Sequence, residues 1–119
     1  AKVGMKGVFP IWKMDTADLL RDFVAKKFKA VVCCVNDAYL GKEYVGKEIN
    51  RAFIKKLPAG VDPCGENGEY HTFCYAGPLF KYKITFKLGE KVYKSLKSNT
   101  CPISENTSTK SFWYCDLIP

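Results

Sequence analysis

Six cysteines (Cys33, Cys34, Cys64, Cys74, Cys101 and Cys115) and a single histidine, His71, are the side chains of this 119-residue chain best suited to chemistry. An even cysteine count in a short chain points to a disulfide framework, and one histidine leaves any two-histidine acid–base mechanism without its second member. Cys33 and Cys34 are neighbours on a β-branched run, so as strand residues they point to opposite faces and reach different partners. Cys64 and Cys74 bracket a turn-rich segment suited to closing a small loop. The sequence alone does not choose among the pairings. With no C-x-x-C knuckle and one histidine, neither a metal nor a cofactor is expected. Glu69 and His71 are two apart and would share a strand face. His71 reads first as a surface or half-buried histidine bonded to a neighbour, and second as a member of a catalytic site with Glu69.

Lys plus Arg number 19 against 12 acids, a net charge of +7, and all but Arg21 and Arg51 are lysine. Lysine is a hydrated point charge that attracts phosphate without reading it, so the balance favours polyanions or acidic surfaces in general, or serves solubility. The length suits one domain, in which each native disulfide would add about 2–5 kcal/mol. No apolar run approaches the roughly 20 residues of a membrane helix. The chain starts at Ala1 with no charged-then-apolar leader, which suggests a mature secreted form, and Asn106-Thr107-Ser108 is a glycosylation acceptor compatible with secretion.

These residues must be positioned by a mixed set of elements. Residues 1–14 interleave Gly4, Gly7 and Pro10 with Val8, Phe9, Ile11 and Trp12, the pattern of an irregular or strand-like arm lying on the body. Asp15 offers an N-cap, and Leu19, Leu20, Phe23, Val24 and Phe28 recur at helical spacing, predicting a helix over 15–29. Residues 30–35 form a β-branched strand, and Val45, Ile49, Ala52, Phe53 and Leu57 predict a second helix ended by Pro58-Ala59-Gly60. Strands are expected over 70–75, over 80–88 with Phe80, Tyr82, Ile84 and Phe86 on one face, over 92–96 after a Gly89-Glu90 turn, and over 112–118. A polar loop covers 97–110. Helices followed by antiparallel strands describe an α+β domain, a helix packed on a small antiparallel sheet.

The order of several short motifs resembles a known family. Cys34-Val35-Asn36-Asp37 with the following Tyr44, Lys47 and Ile49 looks like the first strand and helix of small secreted fungal ribonucleases. Tyr70-His71-Thr72-Phe73, Phe80-Lys81-Tyr82-Lys83-Ile84 and Phe112-Trp113-Tyr114-Cys115-Asp116-Leu117-Ile118 resemble their later strands. The resemblance covers 31–118, implying a ribonuclease-like core over 31–119 with an N-terminal arm and helix over 1–30, all one domain. It also implies that Cys115 bonds Cys33 or Cys34. The family cleaves RNA with a glutamate, a histidine and an arginine. Here Lys81 stands at the glutamate position, no arginine follows Arg51, and Leu117-Ile118-Pro119 ends the last strand without a histidine. A lysine cannot act as a carboxylate base, so the resemblance implies a pseudo-ribonuclease, not an enzyme.

The nearest group of that kind is the ribonuclease-like secreted effectors of powdery mildew fungi. By that resemblance the chain would be a monomeric virulence effector, exported, moved into the host plant cell, and bound there by a host protein target or immune receptor. Lys81, Lys83 and Lys87, with His71 and Tyr70, would line an emptied cleft able to hold RNA phosphates without specificity. A residual ribonuclease using Glu69 and His71 is the alternative. A cationic antimicrobial or toxin protein is the third reading, set against the strand-like alternation of 80–88.

Overall fold

Asp15 starts the first helix, its carboxylate accepting the Ala17 N–H, and Asp18 sits in the first turn where the helix dipole favours an acid. The helix α1 runs over Thr16–Ala25 and stops short of the expected residue 29. The computed structural model, which describes residues 3–96 and 110–119, gives the reason. Lys27 takes a left-handed φ of 69°, its N–H donates to the Val24 carbonyl, and the Phe28 N–H donates to the Phe23 carbonyl. Those two bonds are a Schellman cap, and the Phe23 and Phe28 rings, 5.3 Å apart, supply its apolar contact. Phe28 therefore continues the helical spacing without continuing the helix. Because a lysine holds a conformation that costs glycine nothing, Lys27→Gly should stabilise the protein by about 0.5–1 kcal/mol, read as a higher thermal midpoint.

The strand β1 (Lys29–Asn36) follows at once and becomes one of the two inner strands of the sheet. The expected helix from Val45 is instead a short 3₁₀ turn at Lys42–Tyr44, an extended stretch and the six-residue α2 (Arg51–Lys56), capped by the Asn50 side chain on the Phe53 N–H. Gly46 holds φ 82° and its N–H donates to the Val32 carbonyl; the Val32 N–H in turn donates to Lys47, and the Ile49 N–H to Ala30. Val45 and Ile49 thus reach the core from a segment hydrogen-bonded along β1. Apolar spacing of four is satisfied by an extended approach plus one helical turn.

Three more strands, β2 (Tyr70–Ala76), β3 (Lys87–Leu96) and β4 (Lys110–Ile118), complete an antiparallel sheet in the order β2-β1-β4-β3. Gly89-Glu90 makes no turn between two strands; it is an irregularity inside the single β3. The alternating 80–86 stretch is not a strand, and Tyr82 and Ile84 are exposed, while Phe86 packs edge-on against Phe73 and Tyr75. The core lies between the helices and one sheet face, where Leu20, Val32, Val35, Ile49, Phe53 and Tyr70 meet. Each such side chain contributes about 1.5–3 kcal/mol by burial.

Two expectations fail in this frame. The arm before α1 is irregular as expected, but Val3, Met5, Val8, Phe9, Ile11 and Trp12 stay largely exposed. The cysteines do not form the expected framework: Cys33, Cys34, Cys64, Cys74 and Cys115 are all free thiols, and Cys101, like Asn106-Thr107-Ser108 and the 97–109 loop, lies outside the described residues. The first and last strands are joined, but by backbone pairing that sets Cys34 opposite Tyr114, with no Cys115 bond to Cys33 or Cys34. Cys34 and Cys115 are buried as small apolar side chains, an ordinary role for unpaired cysteine.

Candidate functional site

The loop that feeds β2, residues 61–69, carries three acids and two glycines in eight positions from Asp62 to Glu69. Its shape follows from those types. Gly65 and Gly68 take φ of 66° and 80°, and a Cβ on Gly65 would stand 3.0 Å from the Tyr70 carbonyl oxygen. Asp62 accepts from the Cys64 N–H at 3.0 Å and the Glu66 N–H at 3.2 Å through one oxygen, and from the Thr16 hydroxyl at 2.7 Å through the other. Glu69 is completely buried; one carboxylate oxygen accepts from the Asp62 N–H at 2.5 Å and the other from the Asn67 N–H at 2.7 Å. Two carboxylates therefore satisfy four loop N–H groups and tie the loop to the start of α1. Charge-assisted bonds of this kind offset the cost of burying the charge.

Tyr70 closes the loop from below. Its hydroxyl donates to the Pro63 carbonyl and its ring packs edge-on against Phe53, 5.6 Å between centroids. Burial first, then the neighbouring Cys64, Asp62 and Glu69, holds its phenol well above the ordinary value. The Cys64 thiol, which donates to the Thr16 carbonyl at 3.2 Å, is likewise pushed up by burial and then by Asp62, Glu66 and Asp15. A thiol so placed stays protonated and is a poor nucleophile at neutral pH. What the loop does present is an open cavity of about 280 Å³, whose lining combines the apolar Ile11, Phe23 and Ile49 with Cys64, Glu66 and Tyr70. Glu66 is exposed there, with no ion-pair partner among the described residues. An exposed carboxylate without an ion-pair partner beside an apolar hollow suits a ligand carrying a cation or N–H donors.

The sequence-predicted site residues are not gathered here. Glu69 and His71 do not share a face, because β2 begins only at Tyr70; Glu69 is buried and committed to the loop, while His71 is exposed. They form no acid–base pair. Tyr70 is buried and bonded, so its ring is closed to stacking bases. Lys81 and Lys83 lie in the irregular 80–86 stretch, with their ammonium groups over Tyr82 at 5.7 Å and Tyr75 at 5.5 Å, and Lys87 opens β3. Asp62, Glu66, Thr16 and the two glycines are not among the sequence-predicted site residues; the signal they carry is acids interleaved with glycines just before a strand, the composition of a built turn.

Residues 15–107 match the family model described as the diphthamide synthase C-terminal domain. The chain belongs to that family. The match takes in every residue of the loop, Thr16 and the cavity wall from α1. Among curated relatives, the diphthine–ammonia ligase of Mus musculus is 38% identical over 91 residues, which is 71% of this chain and 34% of the relative. That of Homo sapiens is 35% identical over 92 residues, again 71% and 34%, and that of Schizosaccharomyces pombe 32% over 98 residues, 79% and 16%. The chain spans about a third of the length of the mammalian relatives it matches.

This membership overturns the effector reading. The short motifs that suggested secreted ribonucleases are common strand patterns, whereas the family match spans most of the chain. The virulence role, the host receptor as partner, export and translocation into a host cell rested on that resemblance and fall with it. So do the residual-ribonuclease and antimicrobial alternatives. The expectation of a non-enzyme is corrected by the same finding, since the relatives are named as ligases. The antiparallel α+β class stands on the structure itself; its ribonuclease label does not.

Proposed function

We propose that this chain takes part in joining ammonia to diphthine, and that the loop Asp62–Tyr70 with its cavity is the surface that holds a reactant. The family description and the relatives' names together make the product an amide. Amide formation needs ammonium to lose a proton, form a carbon–nitrogen bond to an activated acyl carbon as its leaving group departs, and lose a second proton. Glu66 is the group placed to bind ammonium or take that proton, because it is the loop carboxylate left unspent once Asp62 and Glu69 are bonded internally. That division of labour among three acids carries the proposal. Nothing in it assigns the activating step to these residues.

The test is a chimera in which this chain replaces the matching segment of the mouse relative, with conversion of diphthine to its amide followed by mass spectrometry. The chimera should be active, and Glu66→Gln should slow it by about 10²-fold or more while leaving its thermal midpoint unchanged. A Glu66→Gln chimera running at the parental rate would remove Glu66 and its cavity from the reaction.

A further inference from the structure

The chain has only two arginines among its 19 basic residues, and the fold brings both to one groove. α1 presents Arg21, Val24 and Ala25, and α2 presents Arg51, Ile54 and Lys55, the same i, i+3, i+4 spacing on two helices that touch each other. The groove between them is about 390 Å³, within the range of small-ligand sites, and its floor is aliphatic. Three cationic side chains ring it. The acids nearby are exposed and already engaged: Asp18 meets Arg21 at 2.9 Å and Asp22 meets Lys26 at 2.8 Å. An exposed pair such as Asp18–Arg21 contributes little and yields readily to a better anion. Arg51 has no ion pair and no hydrogen-bonded acceptor for its guanidinium among the described residues. The larger hollow of about 490 Å³ differs in kind, since Glu43 and Glu48 there offset Lys47 and Lys56.

We infer that this groove binds a phosphate ester, the phosphate gripped by Arg21, Arg51 and Lys55 and the organic part resting on Val24, Ala25 and Ile54. Two guanidinium forks from separate helices match the oxygens of a phosphate in a way that scattered lysines do not, and the aliphatic floor gives an uncharged body a place that water would otherwise fill. The site shares no lining residue with the Glu66 cavity and stands whether or not that cavity handles ammonia.

The experiment titrates the protein with phenyl phosphate, inorganic phosphate and benzoate at fixed ionic strength, following backbone amide resonances. Phenyl phosphate should saturate in the submillimolar range, more tightly than inorganic phosphate, with the moving amides in α1 and α2. Arg21→Gln and Arg51→Gln should each weaken it about tenfold or more, and Arg51→Lys should not restore it, because the fork is lost. Lys83→Gln, outside the groove, should change nothing. Absence of saturation, equal binding of benzoate, or undiminished binding by the Arg21→Gln, Arg51→Gln double variant would each overturn the assignment. All these positions are exposed, so unchanged thermal midpoints verify that the variants are folded.

Discussion

Replacing Glu69 with alanine should cost on the order of 3 kcal/mol of unfolding free energy, because two loop backbone N–H groups, those of Asp62 and Asn67, lose their part-buried hydrogen bonds to the carboxylate together. The side chain is completely buried, so water does not take over without opening the loop. Glu69→Gln keeps the shape but turns an NH₂ donor toward one of the two N–H groups, and should fall between parent and alanine. Glu66→Gln, on the exposed side of the same loop, should stay within about 0.5 kcal/mol of the parent. Urea unfolding midpoints separate the three. A loss below about 1 kcal/mol for Glu69→Ala would mean that the loop is held by its glycines and Asp62 instead. In the chimera, Glu69→Ala should also lower amide formation, since the buried carboxylate positions the backbone from which Glu66 projects.

The local elements were largely legible in the sequence, and the failures have physical causes. Asp15, the β-branched run before Asn36 and the strands after residue 69 and before Pro119 announce α1, β1, β2 and β4 within a few residues. Apolar spacing misled where two structures satisfy it alike. Phe28 fits a helical stripe and also a Schellman contact, and only the left-handed Lys27 separates the two. Val45 and Ile49 fit a helix and also an extended segment bonded along β1. The 80–86 alternation meets β2 through the Ile84 N–H bond to the Tyr75 carbonyl but does not continue as a paired strand. The cysteines misled for a different reason: count and parity suggest bridges, but a free cysteine is also a small apolar core residue, and the sequence does not distinguish the two. The site is not announced by residue types that act alone, such as a histidine or a row of lysines; it is built from acids whose roles depend on the loop backbone. Spacing pairs Glu69 with His71, whereas its bonds hold a loop.

Alkaline pH should destabilise this protein early and steeply. The thiols of Cys33, Cys34 and Cys64 are raised from the ordinary 9.0, chiefly by burial, and the phenols of Tyr70, Tyr75 and Tyr114 from 10.0, also chiefly by burial. A group whose value is higher folded than unfolded keeps its proton longer in the native state. Its stabilising contribution is therefore complete below the unfolded value and disappears as pH rises toward the folded one. Stability should begin to fall above pH 9.0 as the unfolded chain sheds thiol protons, and faster above 10.0 as tyrosines join. Tyr70, the most strongly shifted, should by itself supply a slope of about 1.4 kcal/mol per pH unit beyond the ordinary phenol value. Tyr70→Phe isolates that share. Near neutrality it should cost about 1 kcal/mol, because the Pro63 carbonyl loses its donor. Without an ionisable group at that position the variant should decline more gently, so the two curves of unfolding free energy against pH converge and cross above pH 10.0. Denaturant unfolding of both proteins at stepped pH reads the crossing directly, and parallel curves there would show that the Tyr70 phenol ionises as easily in the native loop as in the open chain.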